Sequence, residues 1–137
     1  MKDTFLHLPK DIELQLAQEV RVLVLVDSTT TAEGLAMSDK ILQACGLDPE
    51  VDAHRISVEH DINLASASLP DSVESLIIYG LSPKQLGANW QVTPYTWLRD
   101  NGRRWCFAER LELIAADPAK KRILWNCVKA LKNSSKM

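Results

Sequence analysis

Residues 20–27 read Val-Arg-Val-Leu-Val-Leu-Val-Asp, and this short run decides the fold of the chain. Six of its eight residues are apolar and four are valine, whose branched Cβ favours a strand over a helix. Apolar side chains stand at both even and odd positions, so both faces of the strand need to be covered. A strand of this kind is typical of the centre of a sheet that lies between helices.

A helix pattern follows this strand. Thr30 and Glu33 have the spacing of a capping box, which predicts that a helix begins there. Gly46 is a typical residue for the end of that helix. Five residues form its predicted buried stripe: Leu35, Met37, Ile41, Leu42 and Cys45.

The middle of the chain contains two further strand patterns. A strand is predicted over residues 53–58 and a second buried strand over residues 74–80. Between them lies a weak helical stretch over residues 62–67, and a short turn of helix is expected over residues 82–86. Strands that alternate with helices in this way indicate a parallel sheet.

The last third predicts a hairpin and then two helices. Asp100-Asn101-Gly102 is a hairpin-turn signal, which predicts paired strands over residues 95–99 and 103–107 at a sheet edge. A short helix is expected over residues 109–116, and Asp117-Pro118 would begin the last helix. The predicted buried face of that helix consists of Ile123, Leu124, Cys127, Val128 and Leu131.

These elements together predict an α/β protein, a three-layer α/β/α sandwich whose sheet is parallel at its core and mixed at its edge. The 137 residues suffice for one domain, predicted over residues 20–132, with a lead-in over 1–19 and a frayed tail over 133–137. Residues 11–18 of the lead-in could form one or two helical turns. Three apolar residues of the lead-in would either pack on the core or contact a partner: Phe5, Leu6 and Leu8.

The composition is that of a soluble cytoplasmic protein, with 46% hydrophobic and 25% charged residues. No apolar run approaches the roughly 20 residues that span a membrane, and the N-terminal stretch lacks the apolar core of a signal peptide. Three widely spaced cysteines, Cys45, Cys106 and Cys127, indicate reduced thiols instead of a disulfide framework.

Charge is unevenly distributed although the net charge is only −2. Residues 1–89 carry six Lys/Arg against fourteen Asp/Glu, whereas residues 90–137 carry ten against four. The basic half could form a surface for nucleic acid or for an acidic partner. The other interpretation is that these cations complement the dipole at the end of the last helix.

Signals for catalysis are weak. A phosphate-binding loop after the first strand would need several glycines, but that loop has only Gly34, and the neighbouring Glu33 would repel phosphate. Asp27 ends the strand where α/β proteins gather their sites, but it also suits a turn. His54 and His60 do not have zinc-ligand spacing. The sequence therefore predicts no catalytic, cofactor-binding or metal-binding residue.

Aromatic residues concentrate in residues 90–107, which hold five of the eight in the chain. Arginines are interleaved with them, a combination that suits a protein interface and also single-stranded nucleic acid. The third possibility is a hairpin whose aromatics only cover a helix. The candidate partner-binding residues here are Trp90, Trp97, Arg103, Arg104 and Trp105.

The order of elements resembles the psi subunit of bacterial DNA polymerase III holoenzyme. The resemblance covers residues 20–132 and is carried by three stretches: the first strand with the helix end Ile41-Leu-Gln-Ala-Cys-Gly-Leu-Asp-Pro49, the strand Leu76-Ile-Ile-Tyr-Gly80, and the ending Phe107-Ala-Glu-Arg-Leu-Glu-Leu-Ile-Ala-Ala-Asp-Pro-Ala-Lys-Lys-Arg-Ile-Leu-Trp125.

The resemblance implies a non-enzymatic adaptor that binds a chi subunit and so links single-strand-binding protein to the clamp loader. Direct contact with nucleic acid is not expected. The family's best-known members reach the clamp loader with an N-terminal Trp- and Leu-containing peptide, whereas this lead-in has no Trp. The alternative is a Rossmann-like enzyme that processes nucleotides or nucleic acid. A deep polar cleft near Asp27 and Gly80 would favour the enzyme, and a large apolar patch rimmed by charge would favour the adaptor.

Overall fold

The computed structural model describes residues 3–6, 21–49, 52–58, 73–88, 90–100 and 102–134. The architecture is mixed α/β. In chain order the elements are β1 (Asp3–Leu6), β2 (Val22–Asp27), α1 (Ala32–Ala44), β3 (Ala53–Val58), β4 (Ser75–Tyr79), a 3-10 turn (Pro83–Leu86), β5 (Trp97–Asp100), β6 (Arg103–Ala108), α2 (Leu111–Ala115) and α3 (Pro118–Ser134).

Strands β2 to β6 form one sheet, and β1 extends it, so that the order is β1-β3-β2-β4-β6-β5. All neighbouring pairs are parallel except β5 and β6, which form an antiparallel hairpin at the edge. The predicted parallel core with a mixed edge is confirmed. Because β1 pairs with β3, residues 3–6 of the expected lead-in belong to the sheet.

Strand β2 lies inside the sheet, between β3 and β4. Its residues 22–26 are at most 3% exposed. Leu23 and Leu25 pack into the hydrophobic cluster on one face, whereas Val22, Val24 and Val26 pack into the cluster on the other. The alternation of a strand thus buries both sets of side chains, as the sequence predicts.

The three described helices share one face of the sheet. Their buried residues Leu42, Leu111 and Leu124 belong to a single cluster with the valines of β2. On the opposite face, Leu86 of the 3-10 turn and Trp90 belong to or pack against the second cluster. The helices predicted within residues 11–18 and 62–67 lie outside the described residues.

Helix α1 differs from its prediction in both its cap and its buried face. Thr31, not Thr30, is the N-cap, and its hydroxyl accepts a hydrogen bond from the amide of Gly34 at 3.2 Å. Two of the five predicted residues, Leu42 and Cys45, are buried together with Gly34 and Ser38. The other three are partly buried and pack against the same cluster: Leu35, Met37 and Ile41. A Cβ on Gly34 would lie 3.0 Å from that of Leu111, so close contact with α2 favours glycine at this position.

Helix α3 begins as predicted, because Asp117 accepts a hydrogen bond from the amide of Ala119 at 2.9 Å. It continues to Ser134, two residues into the expected frayed tail. Four of its five predicted core residues are buried, but Ile123 is 47% exposed. The buried stripe of a helix spans about 100° or more, and Ile123 lies beyond its edge.

Candidate protein-interaction surface

Arg110 occupies the crevice between the carboxyl ends of β2 and β4, where open α/β sheets usually bind ligands. Its guanidinium lies 3.6 Å from a carboxylate oxygen of Asp27 and donates to the hydroxyl of Thr29 at 2.8 Å. Its side-chain stem lies against Gly80, where a Cβ would be only 2.7 Å from the Arg110 Cγ. The protein's own side chain therefore fills the position at which the sequence placed a possible cleft.

Two carboxylates hold Arg110 in place, those of Asp27 and Glu112, and the Glu112 oxygen lies 3.5 Å from the Arg110 Nε. Burial would raise the pKa of Asp27, but hydrogen bonds from Thr29 and the charge of Arg110 outweigh it, and the pKa is lowered. The pKa of Glu112 is lowered chiefly by the hydrogen bond that the Thr31 amide donates to it at 2.7 Å. Both groups are therefore charged at neutral pH and serve as partners of Arg110 and of the α1 N-terminus.

A depression of about 340 Å³ lies beside this network, between α1 and α2. Its lining includes the carboxylates of Glu33 and Glu112 together with Gly34. These two carboxylates would repel a negatively charged phosphate, so the depression is a poor nucleotide site even though it adjoins the N-terminus of α1. The geometry does not favour the Rossmann-like enzyme.

The predicted aromatic region is divided between the two faces of the sheet. Trp105 is only 2% exposed and belongs to the cluster on the face opposite the helices. Trp90 covers it edge-on, with ring centroids 5.0 Å apart. Trp105 is thus a core residue and not a surface contact, because its strand position points its ring inward.

Trp97 lies on the helical face, where its indole N–H donates to the backbone carbonyl of Cys127 at 3.1 Å. Arg104 stacks above this ring, with its guanidinium carbon 5.5 Å from the centroid, and donates to the hydroxyl of Ser75 at 3.0 Å. Arg103 donates to the carbonyl of Val73 at 2.9 Å. These polar groups are committed to neighbouring elements, so the hairpin resembles a cover for the core more than an interface.

The N-terminal candidates stand apart from this region. The backbone of Phe5 and Leu6 lies in β1, at the sheet edge farthest from the hairpin. The side chains of these two residues and the whole of Leu8 lie outside the described residues. The structure therefore brings together neither the two groups of candidates nor the two halves of the aromatic region.

A groove between α1 and α3 offers an exposed surface that the sequence analysis did not identify. Near the start of α3 it widens into a depression of about 360 Å³ between Met37 and Lys40 of α1 and Lys121 of α3, and Glu33 of α1 also lines it. Farther along, the Cys45 thiol approaches the backbone carbonyl of Trp125 to 3.9 Å. We call this strip, from Met37 and Lys121 to Trp125 and Lys129, the α1–α3 groove.

Trp125 is the large apolar residue of the α1–α3 groove. It is 38% exposed, and the ammonium nitrogen of Lys129 lies 4.8 Å from its ring centroid. Lys121, Trp125 and Lys129 follow at intervals of four and therefore lie on one flank of α3. Arg122 and Lys40 add exposed positive charge close by. An aromatic ring framed by cations is typical of an interface that receives an acidic partner.

Among the described residues of the three helices, two other large apolar side chains are exposed. Leu113 of α2 is 50% exposed, and Ile123 lies on the flank of α3 away from Trp125. The signal for Trp125 was available in the sequence, because this residue lies beside the apolar stripe of α3 and not within it. The second wall of the groove, from α1, is visible only in the fold.

A scan against known protein families and a search of curated proteins find no match to this chain. None of the helices that the structure describes is long and apolar enough to cross a membrane. Within the same described residues, no cluster of three or more His, Cys, Asp or Glu side chains could hold a metal ion. The interpretation of the surface therefore depends on the chain's own geometry.

Proposed function

We propose that this chain is a non-enzymatic adaptor subunit of a DNA replication complex, similar to the psi subunit of bacterial DNA polymerase III holoenzyme, and acts in the cytoplasm. Its principal partner is a chi-like protein. The observation that carries this proposal is the α1–α3 groove, where the exposed ring of Trp125 is framed by Lys121 and Lys129. Arg110 is evidence against the alternative, a Rossmann-like enzyme, because its side chain fills the crevice that such an enzyme would use.

The chemistry of the groove defines the partner surface. Met37 and Trp125 offer apolar contact. Lys40 and Lys121 lie beside Met37 and Lys129 lies against Trp125, so positive charge outweighs the single carboxylate of Glu33 in this lining. The partner should therefore present an acidic segment with at least one apolar anchor. Aromatic residues near the centre of an interface often account for most of its binding free energy.

The finer fold assignment is part of the same proposal. A three-layer sandwich requires a second helical layer on the face that holds Leu23, Leu25 and Trp105. We propose this three-layer arrangement for the chain. The α1–α3 groove, on the opposite face, would stay open in that arrangement.

Binding to a purified chi-like subunit from the same bacterium tests the proposal directly. The full chain is titrated with this subunit by calorimetry, and with clamp-loader subunits and a single-stranded oligonucleotide in parallel. Trp125→Ala should weaken chi binding at least about tenfold, because loss of a central aromatic anchor costs roughly 1.4 kcal/mol or more. Ile123→Ala is the matched control on the opposite flank of α3 and should change affinity less than about twofold.

The results test the adaptor function and the contact surface separately. Failure of the unaltered chain to bind chi-like or clamp-loader subunits overturns the adaptor function. Binding that Trp125→Ala leaves unchanged retains the adaptor but refutes the α1–α3 groove as its contact surface. Tight binding to the oligonucleotide alone would identify the cations of the groove as a nucleic-acid site, against the proposal.

A clamp-loader contact through the N-terminal segment is the second part of the proposal. Phe5 and Leu6 would be its anchors, together with Leu8. Phe5→Ser combined with Leu6→Ser should abolish capture of clamp-loader subunits while chi binding remains, because the two contacts lie on different parts of the chain. Loss of neither interaction would place the clamp-loader contact elsewhere.

A further inference from the structure

Two of the three cysteines meet inside the protein although they come from different elements. Cys106 lies on β6 and Cys127 on α3, and their sulfur atoms are 3.1 Å apart. Both side chains are buried, with exposures of 0% for Cys106 and 8% for Cys127. The third thiol, Cys45, instead contacts the carbonyl of Trp125.

We propose that Cys106 and Cys127 form an oxidisable dithiol, which a peroxide converts to an intramolecular disulfide between β6 and α3. A disulfide needs a sulfur–sulfur distance of about 2.05 Å, so the two sulfurs have to approach by only about 1 Å. Rotation of the two side chains supplies this approach in the proposed reaction. The proposal is independent of the adaptor function, because it rests on the thiol pair alone.

The surroundings hold the two sulfurs together. The indole of Trp97 is bonded to the carbonyl of Cys127 itself, which fixes this turn of α3 above the hairpin. Cys106 and Trp97 are opposite each other in the β5–β6 register. Trp97 at the sheet edge therefore lies next to both cysteines: it is opposite Cys106 in the hairpin and is hydrogen-bonded to Cys127 of α3.

The two thiols are not equivalent. The hydrogen bond between them lowers the pKa of Cys127, whereas the same bond and burial raise the pKa of Cys106. Cys127 is also the more exposed of the two. Since the thiolate is the reactive form, Cys127 attacks the oxidant and Cys106 resolves the intermediate.

The reaction with hydrogen peroxide balances in two steps. The Cys127 thiolate attacks one peroxide oxygen, the O–O bond breaks, and a sulfenic acid forms while the leaving hydroxide takes up the thiol proton as water. The Cys106 sulfur then attacks the Cys127 sulfur and the S–O bond breaks. The departing hydroxide takes the Cys106 proton as a second water. The thiols lose two electrons and the peroxide gains them.

The test uses the full folded chain. After treatment with peroxide the protein is denatured, alkylated and weighed, and one thiol should react where the reduced protein has three. Before alkylation its mass should be about 2 Da lower. Trypsin should then release residues 105–110 linked to residues 123–129, and a reductant should separate them. Peptide mapping of the unaltered chain requires no variant to fold.

Variants define the pair. Cys106→Ala and Cys127→Ser should each abolish the loss of mass, whereas Cys45→Ala is the matched control and should leave it intact. The oxidised protein should also melt at least about 5 °C higher than the reduced one, because the bond restricts the unfolded chain. Three alkylated thiols after treatment, a link through Cys45, or a sulfinic acid in place of the linked peptides would overturn the proposal.

Discussion

Replacing Glu112 with alanine should destabilise the protein by about 1–2 kcal/mol, because this side chain caps helix α1, whose N-cap residue Thr31 lies 81 residues earlier. Its carboxylate accepts the backbone N–H of Thr31 at 2.7 Å, the N-cap of α1. A hydrogen bond to a charged group is worth roughly 1.5–3 kcal/mol. The side chain is 30% exposed, so water can bind the Thr31 amide when the carboxylate is removed, and the loss of stability is smaller than the full value of the bond.

Glu112→Gln should cost about half as much as Glu112→Ala. The amide oxygen of glutamine can still accept from Thr31, but the attraction between a carboxylate and the positive end of the helix dipole is lost. Urea unfolding followed by circular dichroism at pH 7 measures both variants. With a slope of roughly 2 kcal/mol per molar urea, the alanine variant should unfold at about 0.5–1 M less urea.

Acid should abolish the difference between the unaltered chain and Glu112→Gln. The pKa of Glu112 is lowered in the folded protein, chiefly by the Thr31 amide. Its stabilisation is therefore complete above the ordinary carboxyl pKa of about 4.3 and is lost as the pH falls through the lower folded pKa. The difference between the two unfolding free energies should shrink steadily between about pH 5 and pH 3.

Glu33 provides the matched control, because a local capping box would assign it the role that Glu112 has in the structure. Glu33→Ala should change the unfolding free energy by only about 0.5 kcal/mol, the usual value of an exposed acidic residue in a first helical turn. Two results would show that the long-range cap does not exist. One is a Glu33→Ala variant as destabilised as Glu112→Ala. The other is a difference in unfolding free energy between the unaltered chain and Glu112→Gln that is as large in acid as at neutral pH.

Three further substitutions test the packing, all by urea unfolding. Gly80→Ala should cost about 2 kcal/mol, because residue 80 has a φ of +75° and its Cβ would meet Arg110. In a background that carries Arg110→Ala, the same substitution should cost less. An equal cost of Gly80→Ala in both backgrounds would contradict the contact. Trp105→Ala should cost about 3–5 kcal/mol, and a loss below about 1 kcal/mol would contradict its place in the core. Tyr95→Phe should cost about 1 kcal/mol, since its hydroxyl donates to Glu109 at 2.9 Å; no loss would show that water replaces this bond fully.

Strands β2, β3 and β4 and the β5–β6 hairpin were predictable because their signals are local, whereas β1 lies in residues that the sequence predicted as a lead-in. The residues of β2 announce a strand buried on both faces, and Asp100-Asn101-Gly102 turns the chain between β5 and β6. The bounds of β3 are the predicted ones, Ala53–Val58. Alternation and turn chemistry act over a few residues, so neighbouring positions suffice to read them.

The capping partner, the buried face of α1 and the roles of the tryptophans were not predictable in the same way. Thr30 and Glu33 satisfy a sequence pattern, but Thr31 and Glu112 form the bond. Gly34 is buried because α2 crosses close to it. A periodic pattern shows which residues can face a core, but the neighbour that covers them decides which face is turned inward.

The sequence by itself determined the strand β2, the hairpin at the sheet edge and the start of α3, because hydrophobic alternation, turn residues and caps bias the backbone locally. Only the tertiary structure decided that Arg110 closes the crevice above β2, that Trp105 is core while Trp125 is surface, and that Cys106 meets Cys127. These contacts join residues far apart in the chain. Their distances depend on the order of strands in the sheet, which local preferences do not encode.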